Sequence, residues 1–217
     1  PADDQSFELR SKESKPSRKR IILCVNRSLG EMELLQTKLR SFLAQLKLNG
    51  FEIIFIDLPE VSFDYKTISS TDIRADITKF LHRYGSDNEP RSFEGLVECY
   101  RERPHAHLYG MERLEDALAM PQIEKSELKK LVQENVVKAR NLINSILDRY
   151  DADFVGFLNF VDWFSIGGGP SSTLPVSFET KPPISIMLGS RVGNDLALLD
   201  IVQEFSEVAK AAQHTDN

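Results

Sequence analysis

The chain has 217 residues, with 27 Lys+Arg against 33 Asp+Glu and a formal net charge of −6. A hydrophobic fraction of 41% suffices for a sizeable core and excludes disorder of the whole chain, while the net acidity removes the general electrostatic footprint of a nucleic-acid binder. Cys24 and Cys99 make neither a disulfide framework nor a zinc cluster, and the longest apolar stretch, residues 154–161 with Asn159 inside it, falls short of the roughly 20 residues of a membrane span.

The first residue is Pro, and the first twenty carry no apolar segment of signal-peptide type. The expectation is a trimmed start or a piece of a longer polypeptide, cytoplasmic in placement. Residues 1–18 are polar and charged, which reads as a flexible linker or tail. Residues 19–217 read as a single α/β domain.

Residues 19–25 (KRIILCV) are a β-branched run flanked by charge, the pattern of a buried strand. Met32, Leu35, Leu39, Phe42, Leu43 and Leu46 then recur at helical spacing, predicting one helix closed by Gly50. Residues 51–58 (FEIIFIDL) form a second strand stopped by Pro59. Strand, helix and strand of these lengths make a βαβ unit, hence a parallel pair.

Residues 67–84 predict a helix with Ile73, Ile77, Phe80, Leu81 and Tyr84 on one stripe, ended by Gly85. Residues 92–101 and 110–119 are shorter helices, and 124–150 is the longest, with Leu128, Leu131, Val132, Ala139, Ile143, Ile146, Leu147 and Tyr150 facing inward. Three short strands follow at 153–160, 173–178 and 184–188, then a helix over 194–211. The order implies a mixed sheet of about five strands, its first pair parallel, with flanking helices.

Several groups could carry chemistry. Residues 167–172 (GGGPSS) lack the lysine of a phosphate-binding loop, and Pro170 removes a backbone donor. Ser171 or Ser172 as a nucleophile has no G-x-S-x-G turn and no suggested His–acid partner. A turn feeding the next strand is the plainer reading. His105 and His107 are two imidazoles without a third ligand nearby, so no metal site is expected, and no cofactor motif is present. Asp162 and Trp163 follow a strand end. Ligands of α/β sheets bind beyond the carboxyl ends of strands, so this pair faces substrate or anchors its loop. No complete catalytic set is visible, because an activated nucleophile needs its base within hydrogen-bond reach.

The segments, in order and spacing, resemble the C-terminal part of the amidase signature family, which includes bacterial amidases and the A subunit of the glutamyl-tRNA(Gln) amidotransferase. Residues 19–25 and 52–59 look like the family's "kRIgv" and "aevv.vdlP" strands, and residues 72–81 (DIRADITKFL) are similar to its "eFK.DLN.YL" helix. Residues 168–175 (GGPSSTLP) resemble "aGyPsitvP", residues 182–189 (PPISIMLG) resemble "lPvGi.lvG", and residues 195–205 resemble "d..LL..a..fE". Ser185 stands where the family usually has Gly.

The resemblance implies amide C–N hydrolysis by a serine nucleophile, a bridging serine and a lysine base. These belong to a Gly/Ser-rich signature in the family's N-terminal half, and no such stretch occurs here. The implied role is therefore the scaffold and substrate-pocket portion of an amidase, inactive alone, with no catalytic residue of its own. The loop 159–169 would line the pocket, with Asn159, Asp162, Trp163, Gly168 and Gly169 binding a small-molecule amide. The implied partner is the missing N-terminal catalytic half, with a homo-dimer as a further possibility and neither nucleic acid nor membrane. The alternative is a stand-alone, non-catalytic binding module that kept the fold.

Overall fold

The computed structural model describes residues 19–26, 29–37, 39–86, 89–103, 105, 110–121, 123–158, 161–177 and 183–215. Five strands, β1 (Arg20–Val25), β2 (Glu52–Asp57), β3 (Phe154–Phe157), β4 (Ser171–Ser177) and β5 (Ile184–Gly189), form one mixed sheet in the order β2-β1-β3-β5-β4. β1 pairs in parallel with β2 and β3, while β5 runs antiparallel to both β3 and β4. The expected mixed α/β sheet with a parallel first pair is present.

The connection from β1 to β2 holds two helices, α1 (Leu29–Thr37) and α2 (Arg40–Leu48), where the apolar period alone predicts one. The Thr37 hydroxyl donates to the Glu33 carbonyl at 2.6 Å, which competes with continuation of the α1 ladder. Leu39 at the start of α2 has φ −111° and ψ 3°, outside helical geometry. The break still lets Leu35, Leu39, Phe42 and Leu46 reach the core, all of them buried. Gly50 ends this stretch with φ +82°, which a residue with a Cβ rarely adopts.

Strand alternation sorts the sheet into two buried faces. Ile21, Leu23, Val25, Phe154, Ile186 and Leu188 form one cluster with α1, α2 and α8 (Asp195–Thr215), in which Phe205 meets Phe42 and Phe51 edge-on at 5.2 and 5.6 Å. Ile22, Cys24, Val155, Phe157 and Met187 lie on the other face and are equally buried. Each such side chain contributes about 1.5–3 kcal/mol relative to exposure.

Two compact units emerge: Glu60–Ala139 form one, and the segments on either side of it form the other, which contains the sheet. The all-helical unit comprises α3 (Tyr65–Tyr84), α4 (Phe93–Arg101), α5 (Glu112–Ala119) and the first part of α6 (Lys125–Arg149). Its small core is Phe93, Val97 and Ala117, with Ile73, Ile77 and Leu114 packed against them. The Ser92 side chain accepts from the Gly95 backbone N–H at 3.1 Å and caps α4. Buried Asn135 accepts from the Asp64 backbone N–H at 2.9 Å and donates to the Asp64 carboxylate at 3.1 Å.

The apolar stripe of α3 is only half used. Ile73 and Ile77 meet the core, but Phe80 and Tyr84 stand 60% and 64% exposed, their rings 5.1 Å apart. Likewise α6 buries Ala139, Ile143, Ile146 and Leu147, whereas Leu128, Leu131 and Val132 are half-exposed. A second difference is α7 (Trp163–Gly167), a five-residue helix where the glycines suggested only a loop. No helix among the described residues is long and apolar enough to cross a membrane.

Candidate functional site

The expected pocket wall is the connection between β3 and β4, and strand direction decides where it runs. Both strands are antiparallel to the β5 between them, so β4 is parallel to β3. The connecting residues must therefore return from the carboxyl end of β3 to its amino end before β4 begins.

Asp162 and Trp163 lie near the carboxyl end. Trp163 is buried, and its ring meets Phe157, the last residue of β3, edge-on at 5.0 Å. The Asp162 carbonyl accepts from the Ile166 N–H at 2.9 Å and the Ser165 hydroxyl at 3.0 Å, which opens α7. The Asp162 carboxylate is half-buried and makes no hydrogen bond to the described residues. Phe164 next covers Gly189 of β5, where a Cβ would lie 2.3 Å from the ring.

Gly168 and Gly169 lie at the amino end. Gly168 has φ +67° and closes α7, and the Gly169 N–H donates to the Phe164 carbonyl at 3.0 Å. Ser190, directly after β5, donates its hydroxyl to the Asp153 carbonyl just before β3 at 2.7 Å. The candidate residues thus divide between two ends of the sheet, and Asn159 lies outside the described residues.

The amino end carries a cleft of about 230 Å³, bordered by Arg140, Asn144, Gly167, Gly169, Ser190 and Arg191. Arg140 Nε donates to the Gly167 carbonyl at 2.7 Å. Arg191 donates to Asn144 Oδ1 at 3.2 Å and to Asp148 Oδ1 at 2.6 Å. Sequence reasoning passed over these two arginines because they are 51 positions apart and neither belongs to a motif. Only the meeting of α6 with the segment after β5 reveals them.

Nothing described here makes an activated nucleophile. Ser171 and Ser172 are the first residues of β4, opposite Gly189 and Leu188, rather than the tip of a turn. Ser190 is fully buried, with its hydroxyl committed to Asp153 and accepting from Asn194 Nδ2 at 3.2 Å. Burial pushes the Cys24 thiol up to about 12. His105 is exposed and His107 lies outside the described residues, among which no group of three His, Cys, Asp or Glu could hold a metal.

No family model matches this sequence, and no curated protein matches it. Solved structures do. An amidase family protein from Bacillus anthracis str. Ames is similar with a TM-score of 0.73 at 16% identity, covering 89% of this chain and 39% of that one. The fold is that of part of an amidase. The native peptide amidase from Stenotrophomonas maltophilia matches with a TM-score of 0.66 at 14% identity, over 88% of this chain and 43% of its own. A bacterial aryl acylamidase of the amidase signature enzymes gives 0.56 at 14% identity, over 92% and 45%. The chain therefore spans about two-fifths of the length of the amidases whose fold it shares.

Proposed function

We propose that this chain is the scaffold and pocket-wall portion of an amidase-type hydrolase, with the nucleophile and base carried by polypeptide outside these 217 residues. The observation that carries the reading is the asymmetric overlap: 89% of this chain but 39% of the Bacillus anthracis structure. In this reading the sheet supplies a rigid base. The segment at the carboxyl end of β3, with Asp162 bordering the substrate and Trp163 fixing the loop against Phe157, supplies one wall of the amide pocket. The exposed Phe80–Tyr84 pair accords with surface that further polypeptide covers.

The test has two arms. The chain alone, treated with a serine-reactive fluorophosphonate, keeps its mass and does not hydrolyse a simple carboxamide. The same chain joined to the polypeptide encoded directly upstream of Pro1 takes up one probe and turns the amide over. Turnover by the 217 residues alone, or an upstream-extended protein that neither labels nor hydrolyses, overturns the proposal.

A further inference from the structure

The cleft at the amino end of β3 lies away from the carboxyl end, where sheet-bound substrates sit, and the pocket-wall reading does not use it. We propose that it is a binding site for a compact oxyanion, carboxylate or phosphate, gripped by Arg140 and Arg191.

The donors are preorganised. A guanidinium carries five N–H groups in a rigid fork. Arg140 spends its Nε–H on the Gly167 carbonyl, which holds the plane in place and leaves its four Nη hydrogens without an acceptor among the described residues. Arg191 is fixed from behind by Asn144 and Asp148, and its Nε–H and remaining Nη hydrogens have no acceptor among the described residues. Two forks held by a backbone carbonyl, an amide and a carboxylate lose less rotamer freedom on binding than two free surface arginines do.

The charge is local. Among the described residues no acidic side chain borders the cleft, and Asp148, the partner of Arg191, is itself 71% exposed. Asp148 balances Arg191, and Arg140 has no carboxylate partner among the described residues. The chain as a whole carries −6, which disfavours diffuse anion binding over its surface.

Room and size agree. Cavities for drug-sized ligands run from roughly 300 to 1,000 Å³, so about 230 Å³ suits a smaller group. Bidentate guanidinium contacts select planar carboxylate and phosphate oxygens over halides.

Inorganic phosphate and acetate, titrated separately into the 15N-labelled chain at constant ionic strength set with chloride, test the proposal. Saturable amide shifts are expected at Gly167, Gly169, Ser190 and Val192 with at least one of the two anions, and which one saturates tells phosphate-type from carboxylate ligands. Arg140→Gln weakens that binding at least tenfold, whereas Arg74→Gln in the helical unit leaves it unchanged. If Arg140→Gln does not fold, Arg140→Lys takes its place. That variant keeps the charge but loses the fork, and at least a threefold weakening is expected. Shifts that fail to saturate, that spread over the surface, or that are equal in wild type and the Arg140 variant overturn it.

Discussion

Gly189→Ala examines how tightly α7 is clamped to the sheet. Gly189 is the last residue of β5, paired with Val155 on one side and Ser171 on the other, so its backbone is held from both directions. A Cβ built there lies 2.3 Å from Phe164 Cζ and 2.5 Å from Cε1 and Cε2, against an ordinary carbon contact of about 3.5–4.0 Å. The ring must therefore retreat by more than about 1 Å. It has little space to do so. Phe164 is 1% exposed, its ring centroid is 6.0 Å from that of Phe157, and its carbonyl holds the Gly169 N–H. Overpacking of this kind costs about 1–3 kcal/mol, which for a chain of this size lowers Tm by roughly 2–12 °C. The assay is thermal unfolding of wild type, Gly189→Ala, Phe164→Leu and the double variant. Leucine removes the aromatic edge that collides with the new methyl, so the double variant should be more stable than the sum of the two single losses. A Gly189→Ala chain that melts with wild type, or strictly additive losses in the cycle, would refute this account.

Two further outcomes concern single ionisable groups. A hydrogen bond from its own backbone N–H, followed by one from the Arg74 guanidinium (Nε at 2.9 Å), holds the Glu94 carboxyl below the usual range. A depressed native value gives stability that is present above the unfolded carboxylate value of about 4.3 and is lost as pH falls through the native one. Urea titrations of wild type and Glu94→Gln should thus differ by about 0.2–1 kcal/mol at pH 7, as expected of an exposed pair, and converge as the pH falls below the native carboxyl value. A gap independent of pH removes the linkage. For the thiols, a value near 12 leaves roughly 1 in 10,000 Cys24 side chains as thiolate at pH 8. An aromatic disulfide reagent should titrate the half-exposed Cys99 in the native chain and reach Cys24 only on unfolding, and prompt reaction of both thiols without denaturant contradicts that burial.

What the sequence makes legible follows from which physical signal each element carries. The strands of the sheet are short apolar runs bounded by charge, Gly or Pro, and their pattern places β1, β2 and β5 within a residue or two of the structure. The long helices α3, α6 and α8 are visible from their 3.6-residue period for the same reason. The period reports amphipathicity rather than actual burial, so it assigns Phe80 and Tyr84 to a core they do not join. It is also blind to the break between α1 and α2, because the apolar residues keep their spacing through it. The five residues of α7 are too few to show any period, and the glycines that follow them resemble a loop. Trp163 is buried there through its contact with Phe157, a tertiary fact with no local signature.

The division of the candidate residues between two ends of the sheet comes from strand polarity, which no local pattern expresses. The sequence of 159–169 does not distinguish a hairpin-like return to the same end of the sheet from a crossover. With β5 inserted antiparallel between β3 and β4, residues 158–170 make a parallel crossover, and their thirteen residues meet the dozen or so that such a connection needs. A crossover has two ends by construction. Asp162 belongs to the first and Gly168 and Gly169 to the second, with Phe164 pressed on Gly189 between them. The amide-pocket reading and the anion-site reading therefore rest on different stretches of one connection. Loss of the Arg140 cation acts on the second stretch, whereas displacement of Phe164 acts on both, because the same side chain sets the path from one end of the sheet to the other.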